Sequence, residues 1–126
     1  MPYADPASAN NRLEDAVGAA TARHGDGKWR EILTATVRHR SVLLHWPPGS
    51  SDPMHVHPEG EEIFVIHEGR AEFDFGEGDR RTVGPGSVLY APTGQAHAIK
   101  VVGDEALLMM CFMSINEPDD TTDVPV

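Results

Sequence analysis

The chain has 126 residues, 40% of them apolar and 24% charged, and a formal net charge of −10. That length supports one domain with a real hydrophobic core. The charge excludes nucleic acid and anionic membrane surfaces as partners, because both would repel it.

The opening MPYADPASANN lacks the basic start and apolar block of a signal peptide, and no apolar run approaches a membrane span, so a soluble cytoplasmic protein is expected. Residues 1–9 carry no periodic pattern. Asn11 and Glu14 have capping-box spacing, with Asn in place of Ser or Thr. Leu13, Ala16, Val17 and Ala20 recur on one side, predicting a short helix over residues 11–23 that Gly25 closes. Its weakly apolar face suits packing against the main body.

From Trp29 the pattern turns strand-like, with β-branched and aromatic residues over 29–33 and 34–46. His24, His39 and His45 read as ordinary surface or packed histidines, and His45 is out of phase with Val42 and Leu44. Pro47, Pro48 and Gly49 form a turn, and residues 50–54 read as loop. Short strands are expected at 55–57, 62–68, 71–75, 80–83, 87–91, 96–102 and 106–113, separated by Gly- and Pro-rich turns. The last is apolar on both faces, as a central strand is. It holds the single cysteine, Cys111, which rules out an internal disulfide and reads as a buried, inert thiol. Met54, Met109, Met110 and Met113 read as core filling. Residues 116–126 are acidic and rich in Pro, Asp and Thr, which predicts a mobile tail.

Eight to ten short strands with almost no helix predict an all-β jelly-roll sandwich or small barrel. The expected organisation is an N-terminal segment with a short helix (1–28), a β-barrel (29–115) and a flexible acidic tail (116–126).

The chemistry-bearing stretch is residues 49–69, GSSDPMHVHPEGEEIFVIHEG. In a strand, His55 and His57 share a face. If Phe64 and Ile66 fill the interior, Glu62 shares their face and Glu61 points outward. Downstream, His97 is in phase with apolar Ile99 and Val101, which makes it an inward residue. Two or three imidazoles and a carboxylate converging on one point make a transition-metal site.

These residues resemble the two motifs of the cupin superfamily, in particular its small single-domain bacterial members. Gly49, His55, His57, Glu62 and Gly69 meet every spacing of the first motif. Gly86, Pro92, Gly94 and His97 meet the second, with Val101 where Asn is usual, and residues 70–85 separate the two. The resemblance implies a conical β-barrel holding one divalent transition metal (Fe, Mn, Ni, Zn, Cu or Co) on His55, His57, Glu62 and His97. It also implies a metal-dependent enzyme acting on a small organic molecule, with Glu62 and His97 carrying the chemistry. A redox metal would give a dioxygenase, and a Lewis-acid metal an isomerase, cyclase or lyase. The competing expectation is a non-catalytic metal-binding or sensor module.

Around the site, Gln95 and Tyr90 are the candidates to support the ligands or orient a substrate. Phe64, Ile66, Phe73 and Ile99 are the expected pocket lining, which leans toward an aromatic or polyketide-like substrate. Arg or Lys in the pocket would point instead to a sugar or carboxylic acid. Ile63, Val65 and His67 form an apolar face directed away from the interior, so a homodimer is expected.

Overall fold

The computed structural model describes residues 13–114 and 122–124. In chain order these form α1 (Leu13–His24), β1 (Trp29–Ala35), β2 (Arg40–Trp46), β3 (Ser51–Val56), β4 (Glu62–Glu68), β5 (Arg70–Asp74), β6 (Arg80–Val83), β7 (Val88–Ala91), β8 (His97–Val102), β9 (Leu107–Met113) and β10 (Thr122–Asp123). The strands pair antiparallel in two five-stranded sheets, ordered β1-β2-β9-β4-β7 and β10-β3-β8-β5-β6. Sequence neighbours such as β3 and β4 lie in different sheets, which is the crossing pattern of a jelly roll.

The strand period sorts the side chains into two cores. Between the sheets, Trp46, Phe64, Ile66, Phe73, Ile99, Leu107 and Met109 pack into one cluster. Burying each such side chain contributes about 2 kcal/mol. On the outer face of β1, β2 and β9, Ala20 and Val17 of α1 pack against Trp29, Leu43 and Leu108. The helix is fixed there by polar contacts as well. His24 stacks on Trp29, whose indole N–H donates to the Gly25 carbonyl, and Glu31 pairs with Arg23 and His24. His45 also stacks on Trp29 and meets the Gly27 carbonyl. The remaining outer face, over β4, β7 and the end of β9, leaves Ile63, Val88, Tyr90 and Phe112 exposed.

Three sequence expectations change. The run 34–46 is broken at 36–39, where the Thr36 hydroxyl accepts the backbone N–H groups of Arg38 and His39 and turns the chain. Residues 51–54, expected as loop, belong to β3. Pro53 is accommodated because the register with β8 shifts between Asp52 and His55, so no ladder hydrogen bond is asked of it. The tail, expected to be mobile, contributes β10, in which Thr122 and Asp123 pair with Val56 and His55. An acidic composition signals solvation, but the free edge of β3 offers backbone partners that composition does not reveal. The capping position Asn11 and the rest of the tail lie outside the described residues.

Gly49 and Gly69 bracket the first motif, and both have positive φ, 86° and 79°. A Cβ on Gly69 would also fall 2.3 Å from the Ala106 carbonyl oxygen, whereas one on Gly49 meets open space. Gly69→Ala is therefore expected to cost about 3 kcal/mol, and Gly49→Ala about 1 kcal/mol. Urea unfolding of the two variants measures the difference. Equal losses would mean that the backbone contact at Ala106 is not what requires glycine.

Candidate metal centre

The site forms where the two sheets meet. β3 carries His55 and runs on into His57, β8 begins with His97, and β4 in the opposite sheet begins with Glu62. Pairing of β3 with β8 sets His55 directly across from His97. The Gly94 N–H donates to the His57 carbonyl at 3.0 Å, so the turn before β8 is tied to the end of the first motif. The imidazole centroids lie 4.4 Å (His55–His97), 5.0 Å (His55–His57) and 5.5 Å (His57–His97) apart. One ligand atom from each of His55, His57, Glu62 and His97 falls within 4.8 Å of the others, and all four residues are buried.

The ring nitrogens are sorted by backbone carbonyls. Nδ1–H of His55 donates to the Pro53 carbonyl at 2.7 Å, and Nδ1–H of His97 to the Gln95 carbonyl at 3.0 Å. Such bonds fix the tautomer and leave Nε2 as the free lone pair. Glu62 Oε1 lies 2.6 Å from His57 Nε2 and 3.1 Å from His97 Nε2. Neither approach has hydrogen-bond geometry, and Oε1 and His97 Nε2 remain buried polar atoms with no hydrogen-bond partner. Two orphaned lone-pair atoms at the centre of a three-imidazole, one-carboxylate set fit a divalent transition-metal ion.

The electrostatics agree with an ionised ligand. Burial would raise the Glu62 carboxyl, but its contacts with His57, His97 and Cys111 outweigh that and hold it well below the usual carboxylate range. Cys111 Sγ–H donates to Glu62 Oε2 at 2.8 Å. Burial, and then the Glu62 charge, push this thiol well above its ordinary value, so it stays a protonated donor.

A cavity of about 250 Å³ opens onto His55, His57 and Glu62. Val42, Leu44, Cys111 and Met113 supply its apolar and thiol lining, and Arg30, Arg40, Asp52 and Asp123 its charged lining. His97 lies beneath it, 1% exposed.

The four ligands predicted from sequence are brought together. The supporting residues are placed differently. The Gln95 backbone, not its side chain, serves His97, while the side-chain amide donates to the Phe75 and Ala96 carbonyls. Tyr90 faces outward and donates to Glu61, away from the cavity. Phe64, Ile66, Phe73 and Ile99 are fully packed in the core below the ligands, Phe64 lying 5.7 Å from the His97 ring, and do not line the cavity. The lean to an aromatic substrate rested on those four and loses its support. Cys111 and Arg40 were missed as site residues. Cys111 is in phase with Met109 and Met113, and Arg40 with Val42 and Leu44, so each lies on an inward face that strand parity alone reveals.

A family model described as Cupin domain matches residues 42–113. Dimethylsulfoniopropionate lyase DddQ of Ruegeria pomeroyi is 38% identical over 60 residues, which is 48% of this chain and 29% of that protein. The chain thus spans under a third of the curated relative it matches. Three solved structures share the fold. A conserved double-stranded β-helix protein of Klebsiella pneumoniae gives a TM-score of 0.70 at 22% identity, over 81% of this chain and 88% of its own. The crystal structure of DddQ gives 0.67 at 24%, over 82% and 54%. Oxalate oxidase in complex with glycolate gives 0.65 at 23%, over 80% and 57%.

Removing the thiol donor tests how Glu62 is oriented. Cys111→Ala is expected to weaken zinc binding by about tenfold or more, and Cys111→Ser to recover most of it. Competition against a chromophoric chelator measures both. Unchanged affinity in Cys111→Ala would mean that Glu62 does not need the thiol hydrogen bond to be oriented.

Proposed function

The chain belongs to the cupin family, and we propose that it is a metal-dependent enzyme acting on a small organic substrate, with Lewis-acid lyase chemistry as its reaction class. The observation that carries this reading is the buried set His55, His57, Glu62 and His97, with unsatisfied Glu62 Oε1 and His97 Nε2, at the end of a cavity of about 250 Å³. Its likeness to a lyase over 60 residues supports the reaction class.

In this reading the Nε2 atoms of His55 and His97, a nitrogen of His57 and Glu62 Oε1 would hold the metal. When bound, the metal supplies Lewis acidity that polarises an oxygen of the substrate. The chain supplies the rest. Val42, Leu44 and Met113 exclude water from one wall of the cavity. Glu62 is the only buried carboxylate among the described residues, and so the acceptor for a proton leaving the substrate. Its depressed pKa makes it a weak base while Cys111 holds Oε2, and release of that hydrogen bond strengthens it. Four protein ligands leave few open positions, which weighs against a dioxygenase that seats substrate and oxygen together. One buried thiol and no disulfide suit a reducing, cytoplasmic setting.

We also propose that the exposed face of Ile63, Val88, Tyr90 and Phe112 is covered by a second copy of the chain. At a net charge of −10 two copies repel each other broadly, and this mainly apolar face, with Glu61 at its edge paired to Tyr90, is where they can meet.

Metal analysis of protein purified without oxygen is expected to give about one equivalent per chain, and His57→Ala almost none. Less than about a tenth of an equivalent in the unmutated protein would overturn the metal assignment. Zinc or nickel supports Lewis-acid chemistry, and iron the dioxygenase alternative. A fully loaded protein with no turnover of small organic acids would favour a sensor or carrier module. Sedimentation at micromolar concentration is expected to give a dimer that Val88→Glu dissociates, and a monomer in the unmutated protein would remove the dimer.

A further inference from the structure

Resting on the reading of His55, His57, Glu62 and His97 as a metal centre, we propose that Arg40 binds the carboxylate of the substrate. The enzyme's substrate class is then a small carboxylic acid held between this guanidinium and the metal ligands.

Register places Arg40 beside the site. Arg40 of β2 pairs with Met113 of β9, and Met113 pairs in turn with Glu62 of β4. Cross-strand partners share a face, so all three side chains point into the barrel in one row. Two strand spacings separate Arg40 from Glu62, about 10 Å at the backbone, and the long arginine stem covers much of that gap. Arg40 and Glu62 line the same cavity.

The guanidinium is held there without an acceptor that suits it. Arg40 Nε is buried with no hydrogen-bond partner. Its Nη2 meets only Met113 Sδ, at 3.7 Å, and thioether sulfur is a weak acceptor. None of the ion pairs among the described residues includes Arg40. The nearby acids are occupied or at the rim. Among the described residues, Glu62 has Oε2 held by Cys111 and Oε1 turned to His57 and His97, Asp52 lies 3.9 Å from Lys28, and Asp123 is exposed. A half-buried guanidinium whose buried Nε–H has no partner among the described residues, beside a cavity, is completed by an anion from outside.

The same wall selects the kind of anion. Asp52, Asp123 and Glu62 face the cavity together with Arg30 and Arg40, and that balance disfavours a dianionic phosphate. A planar monoanionic carboxylate matches the guanidinium fork in shape and charge. With about 250 Å³ available and the ligands two strands away, the acid is a few carbons long.

The test uses the full chain loaded with cobalt(II), with cobalt content measured for every variant. Propionate and its uncharged analogue propionamide are titrated calorimetrically into the unmutated protein, Arg40→Met and Arg40→Lys. The unmutated protein is expected to bind propionate and not propionamide. Arg40→Met should bind propionate at least about tenfold more weakly, and Arg40→Lys should fall between, all with unchanged cobalt content. Propionate binding that is absent in the unmutated protein, equal in Arg40→Met or matched by propionamide would overturn the proposal. Thermal unfolding checks that the variants fold. Should Arg40→Met fail to fold, Arg40→Lys decides, because affinity equal to the unmutated protein would again overturn it. Should cobalt not load, the metal reading falls, and the same comparison on metal-free protein still supports or overturns the role of Arg40.

Discussion

Everything in this molecule is arranged around one unfavourable placement, a buried carboxylate among three buried imidazoles. Glu62 is 6% exposed and His97 1% exposed, so neither is solvated as it would be at the surface. Burying a carboxylate costs several kcal/mol unless its charge is met locally. Here a thiol from β9 donates to Oε2, while Oε1 faces the ring nitrogens of His57 and His97 without a hydrogen bond, the arrangement of a donor set open to a cation. The donors come from both sheets, so the site exists only when the two sheets close on each other. Folding and assembly of the site are one event.

That constraint explains the division of labour among the strands. The sheet containing β3 and β8 supplies the three imidazoles, and its carbonyls at Pro53 and Gln95 set their tautomers. The opposite sheet supplies the single carboxylate together with Cys111, Arg40, Val42 and Leu44. One sheet thus builds the ligand field, while the other adjusts the carboxylate and shapes the cavity. The outer surface of that second sheet is itself divided between α1, which covers β1, β2 and β9, and an apolar remainder over β4 and β7.

The fold was legible because strand parity and turn residues are local signals. The alternation Glu62, Phe64, Ile66 separated the inward glutamate from Glu61, and the glycines at 49, 69, 86 and 94, all with positive φ, marked the turns between strands. What escaped was non-local. The edge of β3 that recruits β10 depends on which strand lies free, and the tail's composition carries no trace of it. Gln95 is in phase with His97 yet serves it through its carbonyl, and Tyr90 sits on the face opposite the cavity. Phe64, Ile66, Phe73 and Ile99 were rightly inward, but inward covers both cavity wall and packed core, and parity does not distinguish them. The cavity lies nearer β1, β2 and β9, whose relation to the metal motifs is set by sheet order.

The residues missed from sequence are those that line the cavity beside the ligands. The cupin motifs lie on β3, β4 and β8 and the turns around them, and they specify a metal centre without specifying a substrate. Arg40 and Cys111 lie on β2 and β9, outside both motifs, and reach the site because β9 is central and pairs with β2 on one side and β4 on the other. A substitution at an inward position of β2 alters the cavity wall without touching a ligand. In the proposed reading, metal binding and substrate choice therefore rest on different strands of the same barrel, and the first can be kept while the second changes.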